Sequence, residues 1–206
     1  MKKGFHSKFY LYKKILSKYK NIWLNQKGYK FRPMIFKPWL KRKKSNFGKL
    51  LQSKQKLKFF YCNVKEIAFK KRLIAAIKSP LKTVDKFLST MEKRLDIILF
   101  RTSFVFSLYQ AKQLISHGHV IINNKIIYNL NKKISQFDLI KLDLSKNKVL
   151  KEIFAKFENK IVEKTLPLHL ETSFKNFTIC FLWSPCFQEL YFPIENDFTM
   201  ITRFYR

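Results

Sequence analysis

The sequence predicts an α+β chain. A mainly helical basic lobe leads into a module of two helices and a β-hairpin or small sheet, with an extended N-terminal arm before it and a strand-rich tail after it. Three observations predict this. Apolar residues recur at helical spacing through residues 47–78 and 83–91. Residues 94–142 set a helix cap, a helix-ending glycine and an Asn-Asn turn in an order that suits helices followed by a hairpin. Beyond residue 165 the chain reads as short strands punctuated by Pro167, Pro185 and Pro193.

Taken in order, residues 1–44 read as a basic extended arm, because Pro33 and Pro38 break helices and bases alternate with aromatics up to Lys44. Residues 45–93 read as a helical lobe. Leu50, Leu57, Val64, Ile67, Ala68, Ile74 and Ala75 supply its apolar positions, and lysines make the other faces basic. Ser79-Pro80 ends that stretch, and a short helix over 83–91 follows on Val84, Phe87 and Leu88. The module occupies 94–142. Its first helix runs from Arg94 to Phe100 or Arg101, with Leu95, Ile98 and Leu99 apolar. Ser107 and Gln110 fit a capping box for the second, which runs to about His117 with Leu108, Ala111, Leu114 and Ile115 on one side. Gly118 is the expected terminator, since it tolerates a left-handed backbone. Residues 120–122 and 126–128 read as strands, joined by Asn123-Asn124 at positive φ. Residues 143–206 read as a helical linker over 146–164 and a strand-rich segment packing on the lobe.

The formal net charge is +30 over 206 residues, and it is unevenly placed. Residues 1–93 carry a net +24, residues 94–142 +5 and residues 143–206 +1. A half-chain at that charge repels itself, and a polyanion is the natural compensating partner. Nucleic acid is the expected one. Anionic membrane surface is the competitor, but no membrane span is expected, because apolar runs such as 178–183 fall far short of roughly 20 residues.

Catalysis finds little support. The glycines stand at 4, 28, 48 and 118, which builds no phosphate loop, and no Ser, His and acid arrangement is suggested by spacing. Asp96 is the candidate carboxylate, but Arg94-Leu95-Asp96 suggests that it orients Arg94 or caps the first helix. Cys62, Cys180 and Cys186 form no CxxC pair, so no structural zinc site is expected. His117-Gly118-His119 reads as a helix end and a strand start, with imidazoles suited to phosphate rather than metal. The chain is therefore expected to be no enzyme and to need no cofactor.

Arg94-Leu95-Asp96, Arg101, the run from Ala111 through Ile115, His117-Gly118, residues 120–123 and Asp138-Leu139-Ile140 together resemble the S-four RNA-binding motif. The resemblance implies two helices and a hairpin that grip structured RNA. Three departures stand out: Leu108 sits where the family often places Arg, and Ser103 and Phe137 sit where Gly is usual. Fewer Arg–phosphate contacts are then expected from the second helix. Upstream, Phe47-Gly48, Leu51, Lys54-Gln55-Lys56-Leu57 and Tyr61 resemble a segment of the small-subunit ribosomal protein four family, and the tail loosely echoes its closing strands. No Cys precedes residue 62, so the zinc knuckle of some relatives is not expected in its usual form. The motif alone also suits a stand-alone regulatory or quality-control RNA-binding protein, or an enzyme remnant; the flanks favour the ribosomal reading.

On this reading Arg94, Arg101, Lys112 and Lys125 share one RNA-facing surface with Ser107, Tyr109, Gln113, Ser116, His117, His119 and Asn124. Lys41, Arg42, Lys43 and Lys44 of the arm and Lys54 and Lys56 of the lobe add phosphate contacts. The resemblance implies small-subunit rRNA as partner, a role in nucleating assembly, a place beside the mRNA entrance, and ribosomal proteins three and five as neighbours. Glu189, Glu195 and Arg203 are expected at a protein–protein contact. Abundant Lys, Phe, Ile and Asn reflect A+T-rich codons, which point to an organellar or reduced genome, with a mitochondrion expected, a plastid as the alternative and a reduced bacterial genome third. Residues 1–26 hold no Arg, unlike an import signal, which favours synthesis inside the organelle.

Overall fold

A computed structural model describes residues 45–105, 107–143, 166–190, 192 and 197–205. The expected arm, with Lys41 to Lys44, and the expected helix over 146–164 lie outside the described residues. Among the described residues the chain is α+β, with six α-helices and a five-stranded antiparallel sheet. The helices are α1 (Asn46–Phe60), α2 (Glu66–Ile77), α3 (Thr83–Glu92), α4 (Leu95–Arg101), α5 (Leu108–Ser116) and α6 (Phe198–Phe204). The strands are β1 (Val120–Ile122), β2 (Lys125–Ile126), β3 (Leu139–Leu142), β4 (Leu170–Ser173) and β5 (Thr178–Phe181). The contacts divide the chain into two units, one of residues up to 70 with 192–206 and one of residues 71–191.

In the first unit α1 packs against α6. The Phe47 and Phe204 rings lie 5.8 Å apart, and the Phe69 and Tyr205 rings 6.0 Å. The helical lobe breaks between α1 and α2, where Cys62 and Asn63 take positive φ values of 58° and 49°. Residues 201–205, expected as strand, form the last turn of α6 and its C-cap instead. The composition there is β-prone, but Asp197 caps a helix: its Oδ1 accepts from the backbone N–H of Thr199 at 3.0 Å and of Met200 at 3.2 Å.

The second unit holds the module. Its core gathers Leu95, Ile98 and Leu99 of α4, Ala111, Leu114 and Ile115 of α5, and the inward residues of the sheet, Val120, Ile122, Ile140, Leu142, Ile179 and Phe181. The strand order is β2-β1-β3-β5-β4. Ile122 pairs with Lys125 across the hairpin, Ile121 with Lys141, and Leu139 with Cys180. Strands β4 and β5 therefore extend the module's own sheet. The strand-rich tail, expected to pack on the lobe, is divided: residues 170–181 join the sheet, and 198–204 pack on α1.

The break between α4 and α5 falls where expected. Thr102 closes α4, and Ser103 takes φ +63°. Phe137, just before β3, takes φ +64°. Both positions where glycine is usual in the S-four motif therefore hold a left-handed backbone with a side chain on it, a conformation that costs an L-residue about 1–2 kcal/mol. The neighbouring structure enforces it: the Phe137 N–H donates to the Phe181 carbonyl at 2.7 Å.

Candidate nucleic-acid interface

Ser107 starts α5. Its Oγ accepts from the Gln110 backbone N–H at 3.3 Å, which satisfies one of the donors a helix start leaves open. With Leu108, Ala111, Leu114 and Ile115 buried, the opposite side is fixed. Tyr109, Lys112, Gln113 and Ser116 stand at positions i, i+3, i+4 and i+7, which is a single stripe along the helix. Tyr109 is 57% exposed, Gln113, Ser116 and His117 are exposed, and Lys112 is half-buried.

The hairpin brings in the next residues. Asn123 and Asn124 take φ values of 46° and 66°, the left-handed pair that a two-residue turn requires. The Asn123 side chain is held internally: its Nδ2 donates to Asp138 Oδ1 at 2.8 Å, and its Oδ1 accepts from the Leu139 N–H at 3.0 Å. That clamp leaves Asn124 and Lys125 exposed at the tip. Gly118, at φ +72°, is required twice over, because a Cβ there would lie 2.8 Å from Cε1 of the exposed Tyr128 ring. Tyr128 was not foreseen as part of this surface. Its signal was the glycine, which marks a close approach as well as a turn.

His117 and His119 diverge. Their rings are 6.2 Å apart, but His119 is buried at 9% exposure and its Nδ1 has no hydrogen-bond partner among the described residues. The expected role of His119 as a surface contact is therefore corrected: it stands just before β1 and is buried.

Arg94 and Arg101 are also corrected. Arg94 is 2% exposed, and its guanidinium donates to Asp96 through Nη2 at 2.6 Å and Nε at 3.1 Å. Asp96 is fully buried and also accepts from the Ile97 N–H at 3.0 Å. Burial pushes the Asp96 carboxyl up, and the Arg94 charge pulls it back. Arg101 grips buried Glu92 in the same bidentate way, at 2.8 and 3.0 Å. A carboxylate taken out of water requires such a partner, so both guanidiniums face inward rather than toward a phosphate. Asp96 thus orients Arg94, in a structural arrangement.

In the other unit Lys54 is corrected for a similar reason. It is 9% exposed, 3.1 Å from Glu66 Oε1 and 4.0 Å above the Phe204 ring. Lys56 lies half-buried on the same helix. The structure thus brings together Ser107, Tyr109, Lys112, Gln113, Ser116 and His117 on or beside α5, adds Asn124 and Lys125 from the hairpin of the same unit, and separates Lys54 and Lys56 from them by sequence and by unit.

Residues 93–140 match the family model described as the S4 domain. The chain is 34% identical over 164 residues to the small ribosomal subunit protein uS4m of Reclinomonas americana, covering 77% of this chain and 65% of that relative, so it spans just under two-thirds of the relative's length. It is 31% identical over 166 residues to the small ribosomal subunit protein uS4 of Afipia carboxidovorans, covering 80% of this chain and 79% of the relative. It is 29% identical to the uS4 protein of Rhodopseudomonas palustris over similar shares, 80% and 79%. An S4 domain over residues 93–140, framed by sequence shared along four-fifths of the chain, places this protein in the uS4 family of small ribosomal subunit proteins.

Proposed function

We propose that this protein is a structural constituent of the small subunit of an organellar ribosome and binds small-subunit rRNA directly through the α5 stripe and the hairpin tip. The observation that carries the reading is the stripe itself. Tyr109, Lys112, Gln113 and Ser116 follow one another at helical spacing on a helix whose other side is the module's core. Such a face offers amide and hydroxyl groups, an ammonium and an aromatic ring, the groups that contact phosphate, ribose and unstacked bases. The net charge of +30 supports a polyanionic partner.

The role is structural, not catalytic. It includes nucleating subunit assembly at a junction in the 5′ domain of the rRNA and bordering the mRNA entrance beside ribosomal proteins three and five. Glu189 and Arg203 take part in protein contacts, as does Glu195, which lies outside the described residues. Support for these finer points is membership of the uS4 family. The setting is a mitochondrion, a reading supported by the Reclinomonas americana relative, whose name marks it as mitochondrial, and by the Lys-rich, Phe-rich composition.

The test is binding of the full chain to a 5′-domain fragment of small-subunit rRNA across a salt series. Gln113→Glu combined with Lys125→Glu should weaken binding about tenfold or more and flatten the salt dependence by about one charge contact. Equal affinity of the variant and the natural chain at every salt concentration would overturn the reading.

A further inference from the structure

One side of α3 carries a row of lysines that the interface above does not use. Phe87, Leu88 and Met91 are the buried side of this helix. Lys82 at its N-cap, Lys86 and Lys93 at its C-cap are four and seven residues apart, which places them along the opposite side, about one and two turns from one another. A second segment brings in Lys133. Residues 132–134 run antiparallel beside residues 93–95: the Leu95 N–H donates to the Lys132 carbonyl at 3.2 Å, the Ile134 N–H donates to the Lys93 carbonyl at 2.9 Å, and Arg94 faces Lys133 as a bridge pair.

Lys82, Lys86, Lys132 and Lys133 are exposed, and Lys93 is half-buried. The Lys93 ammonium is held below its ordinary value, first by its partial burial and then by the charges of Lys86 and Lys133. Three cations on two separate segments therefore feel one another. The acids of α3 do not relieve them. Asp85 accepts from the Phe187 backbone N–H at 2.9 Å, and Glu92 is buried against Arg101. Among the described residues none of the five lysines takes part in an ion pair.

Holding like charges together without counter-charge costs folding free energy, and a bound anion removes that cost. The lysines are compact point charges without the planar fork that reads base edges or grips a carboxylate bidentately. We propose that Lys86, Lys93 and Lys133, with Lys82 one turn beyond Lys86, form a second RNA contact that holds backbone phosphates independently of sequence. This contact is built on elements other than α5 and the hairpin, and it rests on the RNA-binding reading of the chain.

The experiment uses the full chain and a 5′-domain fragment of small-subunit rRNA, with affinity measured from low to moderate salt. The triple variant Lys86→Gln, Lys93→Gln, Lys133→Gln should lower the slope of log Kd against log salt by about 2 to 3, at about 0.7–0.9 per phosphate contact. The matching triple Arg variant should keep the slope, because charge is retained. Exchanging the fragment for an unrelated duplex RNA should leave the slope difference in place. If half-buried Lys93 proves necessary for folding, the exposed single variants Lys86→Gln and Lys133→Gln should each lower the slope by about 1. An unchanged slope in the Gln variants, beside weakened binding by Gln113→Glu with Lys125→Glu, overturns the second contact alone. Loss of slope in the Arg triple also overturns it. Unchanged binding in every variant overturns the RNA-binding reading as well.

Discussion

Arg94 and Asp96, two residues apart, close a buried ion pair with two nitrogen–oxygen contacts of 2.6 and 3.1 Å. Both side chains are almost wholly out of water. Removing one partner leaves the other charge buried without compensation, which costs about 3–5 kcal/mol. Asp96→Asn should lower stability by about that amount in urea denaturation of the full chain. A loss below about 1 kcal/mol would show that Arg94 is not held by Asp96.

The strained positions predict the opposite sign. Phe137 holds φ +64° while 75% exposed, so its side chain contributes little burial. Glycine relieves the left-handed cost of about 1–2 kcal/mol and returns part of it as greater freedom in the unfolded chain. Phe137→Gly should therefore stabilise by about 0.5–1 kcal/mol, read as a rise in the thermal midpoint. A fall would mean that the Phe137 ring makes contacts worth more than the strain.

The legible parts of this molecule are the local ones. Ser107, Gly118 and the Asn123-Asn124 turn act within a few residues of themselves, and each does in the structure what its chemistry dictates. The stripe on α5 was legible for the same reason, since helical spacing alone puts its residues on one side. Arg94 and Arg101 were misread as surface contacts because sequence shows a charge but not the burial of its partner; nothing local marks Glu92 as a core residue. The tail was misread twice. A β-prone composition hid the Asp197 cap of α6, and the pairing of β5 with β3 is a long-range register that no local signal carries. No local signal marks where Lys133 lies, and only the backbone pairing of residues 132–134 with residues 93–95 brings it beside the end of α3.

His169 predicts a pH dependence. It is 1% exposed, both ring nitrogens lack partners among the described residues, and its ring meets Phe181 edge-on. Burial lowers its pKa; the Glu92 charge opposes this and Arg101 adds to it, with Glu189 opposing more weakly. The unfolded chain, with an ordinary His near 6.5, takes the proton first as pH falls. The stability tied to neutral His169 is thus complete above about pH 6.5 and is lost below it. The thermal midpoint should fall between pH 7.5 and pH 5, and His169→Leu should reduce that fall. An identical pH profile for the variant would remove His169 from the account.

Glu66 predicts a second, lower window. Against the upward push of partial burial, hydrogen bonds from Lys58, Tyr205 and Lys54 hold its carboxyl at about 2, below an ordinary 4.5. The contacts include Lys58 Nζ at 2.6 Å and the Tyr205 hydroxyl, which tie the residue after α6 to the start of α2. This contribution is complete above about pH 4.5 and is lost as pH falls toward 2. Glu66→Gln should speed hydrogen exchange of the α6 amides at neutral pH while leaving the α5 amides unchanged. Equal exchange in α6 would show that the cluster does not hold the C-terminal helix.

The most direct measurement is the sedimentation of the tagged full chain in organelle lysates on a sucrose gradient, with and without depletion of the natural protein. The account predicts that the chain migrates with the small ribosomal subunit and its rRNA, and that depletion halts small-subunit assembly. A chain that stays at the top of the gradient while small subunits accumulate normally would contradict it.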